Sequence, residues 1–214
     1  MRIVDGMHVA RRPFAAGLIA WILLASTAAA DDAGWKDVGS KRGMRLAFRD
    51  DPVLDAREAR ATAELPFAAA AVFAVACDFS LYGELVDGVT DATLLDGSIP
   101  AEYDVYLRYA PRYMVVAARD VVLRVRGGPD PTGDHSCSWN EVAGRVAERT
   151  GVVRMPVLRG GWRIEALSET RSRVVYQVSA KPGGRIPDWL VRRGAVNALP
   201  DVIERVHERL RSGR

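Results

Sequence analysis

The feature that most constrains this chain is a series of short segments in which apolar and polar residues alternate. Alternation with a period of two is typical of strands that bury one face. In residues 172–180, for example, Val174, Tyr176 and Val178 share one face. The same reasoning predicts strands at residues 43–49, 57–65, 92–95, 102–108, 120–126, 137–142, 161–167 and 172–180. Turn residues between several of them, such as Asp96-Gly97 and Gly127-Gly128, favour an antiparallel sheet.

Two other segments carry a helical pattern. Pro66 precedes the alanine-rich run 67–77, and proline is favoured at the start of a helix, so a buried helix is predicted after two strands. From Pro187 onward apolar residues recur at helical spacing, at Leu190, Leu199, Ile203, Val206 and Leu210. Pro200 inside this run predicts a kink or the start of a second half. The predicted fold class is therefore α+β, an antiparallel sheet with a long amphipathic C-terminal helix.

The first 30 residues have the order of a secretory signal peptide. Arg11 and Arg12 precede an apolar run, and Ala28-Ala29-Ala30 offers a cleavage pattern of small residues. We therefore expect a mature domain at 31–214 that is periplasmic or secreted. An uncleaved anchor is the alternative, although the run is near the lower limit of roughly 17 residues for a spanning helix. The adjacent arginines leave both the general and the twin-arginine export routes open.

Charge argues against a nucleic-acid binder. The whole chain has 30 basic and 27 acidic side chains, and without the three arginines and one aspartate of residues 1–30 these fall to 27 and 26. Proteins that bind nucleic acid usually carry a basic face. A nearly neutral mature domain makes such a partner a poor expectation.

Cys77 and Cys137 are the only cysteines. An oxidising compartment would permit a disulfide between them. Cys77 ends an apolar run, where a thiol packs as a small hydrophobic group. On sequence alone we favour two buried free thiols and leave the disulfide open.

Patterns that indicate catalysis are weak. Neither His135 nor His207 belongs to a spaced metal-ligand set, and the chain has no G-x-S-x-G or H-E-x-x-H motif. No metal, cofactor or catalytic residue is predicted. In a cavity-based enzyme Asp78, Glu141 and Tyr176 would be the candidates, but their spacing does not select them.

Several strings, taken in order, resemble the START family, the steroidogenic-acute-regulatory-related lipid-transfer domains with a helix-grip fold. The similar strings are Trp35, Gly43-Met44-Arg45-Leu46, Arg119-Asp120-Val121, Val153-Arg154-Met155-Pro156, Gly160-Gly161-Trp162 and Pro182-Gly183-Gly184-Arg185-Ile186-Pro187-Asp188-Trp189-Leu190. The resemblance covers essentially the whole mature chain. It implies a curved sheet that grips the C-terminal helix around an apolar tunnel for one lipid.

The resemblance also implies which parts hold the ligand. Loop 110–116 and helix 187–210 correspond to the gate, and Tyr113 and Met114 in the loop are suited either to touch a bilayer or to fold inward. The implied ligand-binding residues are Tyr106, Tyr113, Met114, Arg119, Trp139, Arg154, Tyr176, Trp189, Leu190, Val196 and Leu199. Apolar residues at these spacings are also typical of plain core.

The two arginines in this set have alternative interpretations. A buried guanidinium suits a phosphate or carboxylate headgroup. It also suits a structural ion pair with Asp120 or Glu141, which we favour because buried charge is rarely left unpaired. The function predicted from the sequence is binding of a lipid or similar hydrophobic molecule, for transfer or sensing. A cavity-based enzyme and an envelope interaction module with a filled core remain the alternatives.

Overall fold

The computed structural model describes residues 34–111, 117–186 and 188–213, with side chains of the last helix from residue 198 onward. Residues 34–214 form one compact unit. The predicted signal peptide and its cleavage point lie outside the described residues, as do Tyr113 and Met114.

Ten strands form a single sheet. They are β1 (Lys36–Lys41), β2 (Met44–Asp51), β3 (Ala56–Leu65), β4 (Val89–Ser98), β5 (Glu102–Tyr109), β6 (Ala118–Pro129), β7 (His135–Glu141), β8 (Val152–Arg154), β9 (Val157–Ser168) and β10 (Arg171–Lys181). Their order is β1-β2-β3-β10-β9-β7-β6-β5-β4, with antiparallel neighbours along this path. Only β8 lies off the path, pairing in parallel with the start of β6. The predicted antiparallel sheet is confirmed.

All of the predicted strands are present, and the periodicity missed two more. β1 is an exposed, mostly polar edge strand, so it has no apolar face to reveal it. β8 has three residues, too few for a period to be recognised. Because β1 precedes the two predicted strands, the internal helix follows three strands, and the prediction of two was wrong.

Three helices and one turn of 3₁₀ helix complete the described fold. They are α1 (Ala69–Ala76), the 3₁₀ turn (Phe79–Leu81), α2 (Tyr82–Leu85) and α3 (Asp188–Ser212). The C-terminal helix α3 continues through Pro200 as one element of 25 residues. Among the described residues, no helix is both long enough and apolar enough to cross a membrane.

One face of the sheet, which we call the interior face, packs against the helices. Leu199, Val202, Ile203 and Val206 of α3 are almost completely buried in the same core cluster as strand residues. Burying one such side chain contributes about 1.5–3 kcal/mol. The C-terminal half of α3 packs on β3, α1 and α2. This contact holds the helix against the interior face.

Cys77 and Cys137 form a disulfide, so the prediction of free thiols was wrong. Cys77 lies at the C-terminal end of α1 and Cys137 lies in β7. Because α1 packs against β7, the two Cα atoms are 6.1 Å apart although 60 positions separate them in sequence. That separation is within the range a disulfide requires.

Gly160 of β9 is needed for close packing of an aromatic ring. A Cβ atom there would lie 2.4 Å from Cζ2 of Trp139 and 2.3 Å from the carbonyl oxygen of Gln177. We expect Gly160→Ala to lower the free energy of unfolding by about 1–3 kcal/mol, the usual effect of overpacking. Gly128→Ala is the control, because a Cβ there meets nothing within 4 Å. Equal urea midpoints for the two variants would contradict this account.

Candidate functional site

Aromatic side chains fill the centre of the interior face. Phe79 stacks on Tyr82 with ring centroids 3.8 Å apart and meets the Trp139 ring edge to face at 5.1 Å. Trp162 stacks on Tyr176 at 4.1 Å. The Trp162 indole N–H donates to the Tyr82 hydroxyl over 3.3 Å. These direct ring contacts make this part of the interior a packed cluster.

Two of the predicted ligand-binding residues, Trp139 and Tyr176, belong to this cluster. Sequence reasoning missed Phe79, Tyr82 and Trp162, which complete it. Phe79 and Tyr82 follow the predicted helix in a stretch without a recognisable period. Trp162 lies in a predicted strand, and its alternation with Ile164 was the available signal.

Leu199 lies in the core, on the part of α3 whose side chains are described. Trp189, Leu190 and Val196 lie in the N-terminal half of the same helix, and their side chains are outside the described residues. Tyr113 and Met114 are outside them as well. Among the described residues, the structure thus brings together Trp139, Tyr176 and Leu199 in one core cluster.

Tyr106 lies on the opposite face of the sheet. Its strand neighbours Val105 and Leu107 belong to the interior core, and successive strand residues point to opposite faces. Its hydroxyl donates to Asp120 over 3.2 Å. Burial, together with the Asp120 carboxylate, raises the pKa of Tyr106. Tyr106 is therefore part of a polar layer on the outer face.

Arg154 belongs to the same outer layer and forms the predicted structural pair. Its Nε donates to Oδ1 of Asp120 over 2.7 Å, and Nη2 donates to Oδ2 over 3.2 Å. Asp120 is 1% exposed, and the Arg154 side chain is 19% exposed. Arg154 also donates to the carbonyl oxygen of Val146. The hydrogen bonds to Asp120 raise the pKa of Arg154.

Arg119 occupies a different environment. It is a neighbour of Asp120 in β6 and therefore points to the interior face, where Tyr109 of β5 is its cross-strand partner. Its Nε and Nη2 donate over 3.3 Å to the carbonyl oxygens of Pro182 and Gly183. These two residues belong to the segment 182–187 between β10 and α3, which we call the linker. Nη1 donates to the carbonyl oxygen of Ala117. The Arg119 side chain thus joins the start of β6 to this linker.

A cavity of about 620 Å³ lies beside the same linker. We call it the linker cavity, and the described residues that line it are Asp50, Asp51, Pro52, Asp55, Ala56, Arg57, Pro156, Ala180, Lys181, Pro182, Gly183, Gly184 and Ile186. None of the predicted site residues is among them. The sequence signal for this place was the Pro182-Gly183-Gly184 string, which we noted for its family resemblance and not as part of a binding site.

Two ion pairs lie at the linker cavity. Arg57 contacts Asp50 at 3.0 Å, and Lys181 contacts Asp55 at 2.8 Å. The hydrogen bond from Lys181 lowers the pKa of Asp55. Pro156, Ala180 and Ile186 supply apolar surface to the wall. A cavity whose lining includes apolar side chains can hold a molecule with an apolar body.

The three residues considered for catalysis have other partners. Asp78 accepts a hydrogen bond from the Ser80 backbone N–H over 3.0 Å at the start of the 3₁₀ turn. Glu141 pairs with Arg159, and Tyr176 lies in the aromatic cluster. The described residues contain no group of three or more potential metal ligands. No hydrogen bond or ion pair joins these three described side chains to one another.

Comparison with known proteins gives the family. The family model described as START domain matches residues 23–213. A STAR-related lipid transfer protein fragment from Xanthomonas axonopodis is 26% identical, with a TM-score of 0.73 over 83% of this chain and 99% of that one. Human StAR-related lipid transfer protein 5 has a TM-score of 0.76 over 85% of this chain and 88% of that one. Because the human protein is only 16% identical, this likeness shows that the fold is shared and nothing more.

Two curated relatives match shorter stretches. An uncharacterized protein of Pseudomonas aeruginosa is 32% identical over 83 residues, which is 39% of this chain and 41% of that protein. Human phosphatidylcholine transfer protein is 32% identical over 60 residues, 28% of either chain. The matches thus cover less than half of each relative. The family match, by contrast, spans most of the sequence, and this chain belongs to the START domain family.

Proposed function

We propose that this protein binds a lipid or another apolar small molecule in a cavity beside the segment that leads into α3, and carries it between membranes. The observation that carries the proposal is the linker cavity, about 620 Å³ in volume, beside the segment that leads into α3. Pockets for small molecules generally measure about 300–1,000 Å³. The linker cavity is within that range.

The free energy of burial and the family match both support an apolar ligand. Burying a chain of about sixteen methylenes at about 0.8 kcal/mol each is worth of order 10 kcal/mol, so affinity requires few polar contacts. Membership of the START family supports the same conclusion, as does the likeness to the lipid transfer protein of Xanthomonas axonopodis.

We further propose that the protein acts outside the cytoplasm, in the periplasm or after secretion. The leader-like residues 1–30 support export. The Cys77–Cys137 disulfide supports an oxidising compartment, since such compartments allow disulfides to persist. The domain that binds the ligand would then begin near residue 31.

Native mass spectrometry of protein purified from its own cell envelope tests the proposal, followed by organic extraction of any bound molecule. A stoichiometric lipid, together with transfer of that lipid between donor and acceptor vesicles, is the expected result. A protein that arrives empty and takes up neither a fluorescent fatty acid nor a fluorescent phospholipid would overturn it. Chemical conversion of the bound molecule would favour a cavity-based enzyme instead.

Filling the linker cavity should reduce ligand uptake. Ala180 and Ile186 line the linker cavity from β10 and from the linker. We expect Ala180→Trp and Ile186→Trp each to weaken uptake of a fluorescent fatty acid at least about tenfold, equivalent to about 1.4 kcal/mol. Fluorescence titration gives the affinity. Ser138→Trp, at an exposed position of β7, is the matched control. Unchanged uptake in both lining variants, with their thermal midpoints retained, would count against this cavity.

A further inference from the structure

The linker cavity lies close to the aromatic cluster along the interior face of β10. Ala180 of β10 lines the cavity, and Tyr176 of the same strand belongs to the cluster. Side chains of a strand alternate between its two faces, so Tyr176, Val178 and Ala180 share the interior face. At about 3.3 Å per residue, Tyr176 and Ala180 are about 13 Å apart along the strand. The cluster therefore begins a short distance inward from the linker cavity.

Trp139 and Tyr176 form the side of the cluster that is nearer to the linker cavity. Val178 is the interior residue between Tyr176 and Ala180, and its partner on β9 is Gly160. The Trp139 ring covers Gly160, since a Cβ atom there would lie 2.4 Å from Cζ2 of that ring. The Trp139 and Tyr176 rings have centroids 6.1 Å apart. A molecule that extended inward from the linker cavity would meet these two rings.

Covalent and polar contacts hold the cluster in place. The Cys77–Cys137 disulfide joins the end of α1 to β7, and each cysteine is two positions from a ring of the cluster, Phe79 or Trp139. The backbone N–H of Phe79 donates to the buried Tyr103 hydroxyl over 3.1 Å. A ligand that displaced these rings would have to break such contacts. Closely packed interiors resist such changes, so the cluster closes the inner end of the space.

The volume of the linker cavity suits one long acyl chain. Counting about 30 Å³ for each methylene, the volume of one water molecule in the liquid, a chain of about sixteen carbons needs about 480 Å³ and two such chains about 960 Å³. The linker cavity measures about 620 Å³. One chain fits this volume. A second chain would need space that the aromatic cluster fills.

We infer that Trp139 and Tyr176 are specificity-determining residues, and that they restrict the ligand to a lipid with one long acyl chain instead of two. This inference rests on the proposed function and names the class of ligand. It makes a direct prediction, because removal of either ring should enlarge the space beside the linker cavity and admit the second chain.

Vesicles that offer each headgroup with one chain and with two test the inference. Total lipid of the cell envelope gives such vesicles after partial digestion by a phospholipase that removes one acyl chain. The full purified protein is incubated with them, and native mass spectrometry with organic extraction gives the ratio of one-chain to two-chain lipid bound. We expect this ratio to exceed that of the vesicles about tenfold or more, a discrimination that an apolar pocket can reach against excess bulk.

Variants assign the preference to the two rings. Trp139→Ala and Tyr176→Ala should each bind two-chain lipid and lower the enrichment about tenfold, because each opens the cavity side of the cluster. Trp139→Phe keeps an aromatic ring and should retain most of the enrichment. Phe73→Ala is the matched control, since it truncates a buried ring that contacts His135 outside the cluster. All variants meet the same vesicles, so the ease with which each lipid leaves a bilayer cancels from the comparison.

The possible results are distinguishable. Two-chain lipid bound in the proportion that the vesicles offer would overturn the one-chain inference and leave the proposed function intact. An enrichment that persists in both alanine variants would overturn the role of the two rings. A protein that binds neither kind of lipid would refute the proposed function itself. The measurement on the unaltered protein stands even if neither alanine variant folds.

Discussion

Asp120→Ala is expected to lower the free energy of unfolding by about 3–5 kcal/mol, because it leaves the Arg154 charge without its partner in a largely buried place. Asp120 is 1% exposed and accepts hydrogen bonds from both Arg154 and Tyr106. The 19% exposure of the Arg154 side chain gives water some access, which favours the lower part of the range. Urea unfolding monitored by tryptophan fluorescence measures the change.

A double variant separates loss of the pair from loss of one partner. Asp120→Leu with Arg154→Met removes both charges, and we expect it to be much less destabilised than Asp120→Ala, since replacing a buried ion pair by apolar groups is often close to neutral. Glu64→Ala is the surface control. Its pairs with Arg171 and Arg173 are exposed, so its loss should cost under about 1 kcal/mol. A loss for Asp120→Ala no larger than this control would contradict the structural role assigned to the pair.

Removal of the Cys77–Cys137 disulfide is expected to lower the free energy of unfolding by about 4 kcal/mol. The two cysteines are 60 positions apart, and the chain-entropy model gives about this value for a closed loop of that length. For a domain of this size, about 4 kcal/mol corresponds to a fall in thermal midpoint of about 8–16 °C. Differential scanning calorimetry of the double variant Cys77→Ala with Cys137→Ala gives the midpoint.

Reduction of the unaltered protein provides the matched comparison. Both cysteines are almost completely buried, so alanine also removes packing atoms, whereas reduction removes only the cross-link. We expect reduction to account for most of the fall, and the reductant should have no effect on the double variant. A reduced protein with the thermal midpoint of the oxidised one would show that the disulfide contributes little to stability.

The elements of the fold were largely predictable because their signals are local. The alternation in residues 172–180 predicted β10, and it also identified Val174 and Tyr176 as residues of the buried face. The spacing of Leu199, Ile203 and Val206 predicted the buried side of α3. β1 was missed because both of its faces are exposed and no alternation distinguishes them.

The candidate site was much less predictable. Tyr176 shares its strand face with Val174 and Val178 and lies on the interior face, whereas Tyr106 alternates with Val105 and Leu107 and bonds to Asp120 on the outer face. Alternation alone would have excluded Tyr106 from the interior. Arg119 and Arg154 were equivalent candidates for binding a headgroup. Only Arg154 meets a carboxylate among the described residues, because β8 pairs in parallel with β6 and brings Arg154 opposite Asp120.

The sequence by itself determined which residues share a face of each strand and of the last helix, since those periods depend only on backbone geometry within one element. It also indicated the family through short strings in a characteristic order. The tertiary structure decided which faces meet. Packing of α1 on β7 placed Cys77 beside Cys137, and pairing of β8 with β6 gave Arg154 its partner. Arg119, by contrast, meets carbonyl oxygens beside the linker. These outcomes depend on contacts between residues far apart in the chain, which no local pattern records.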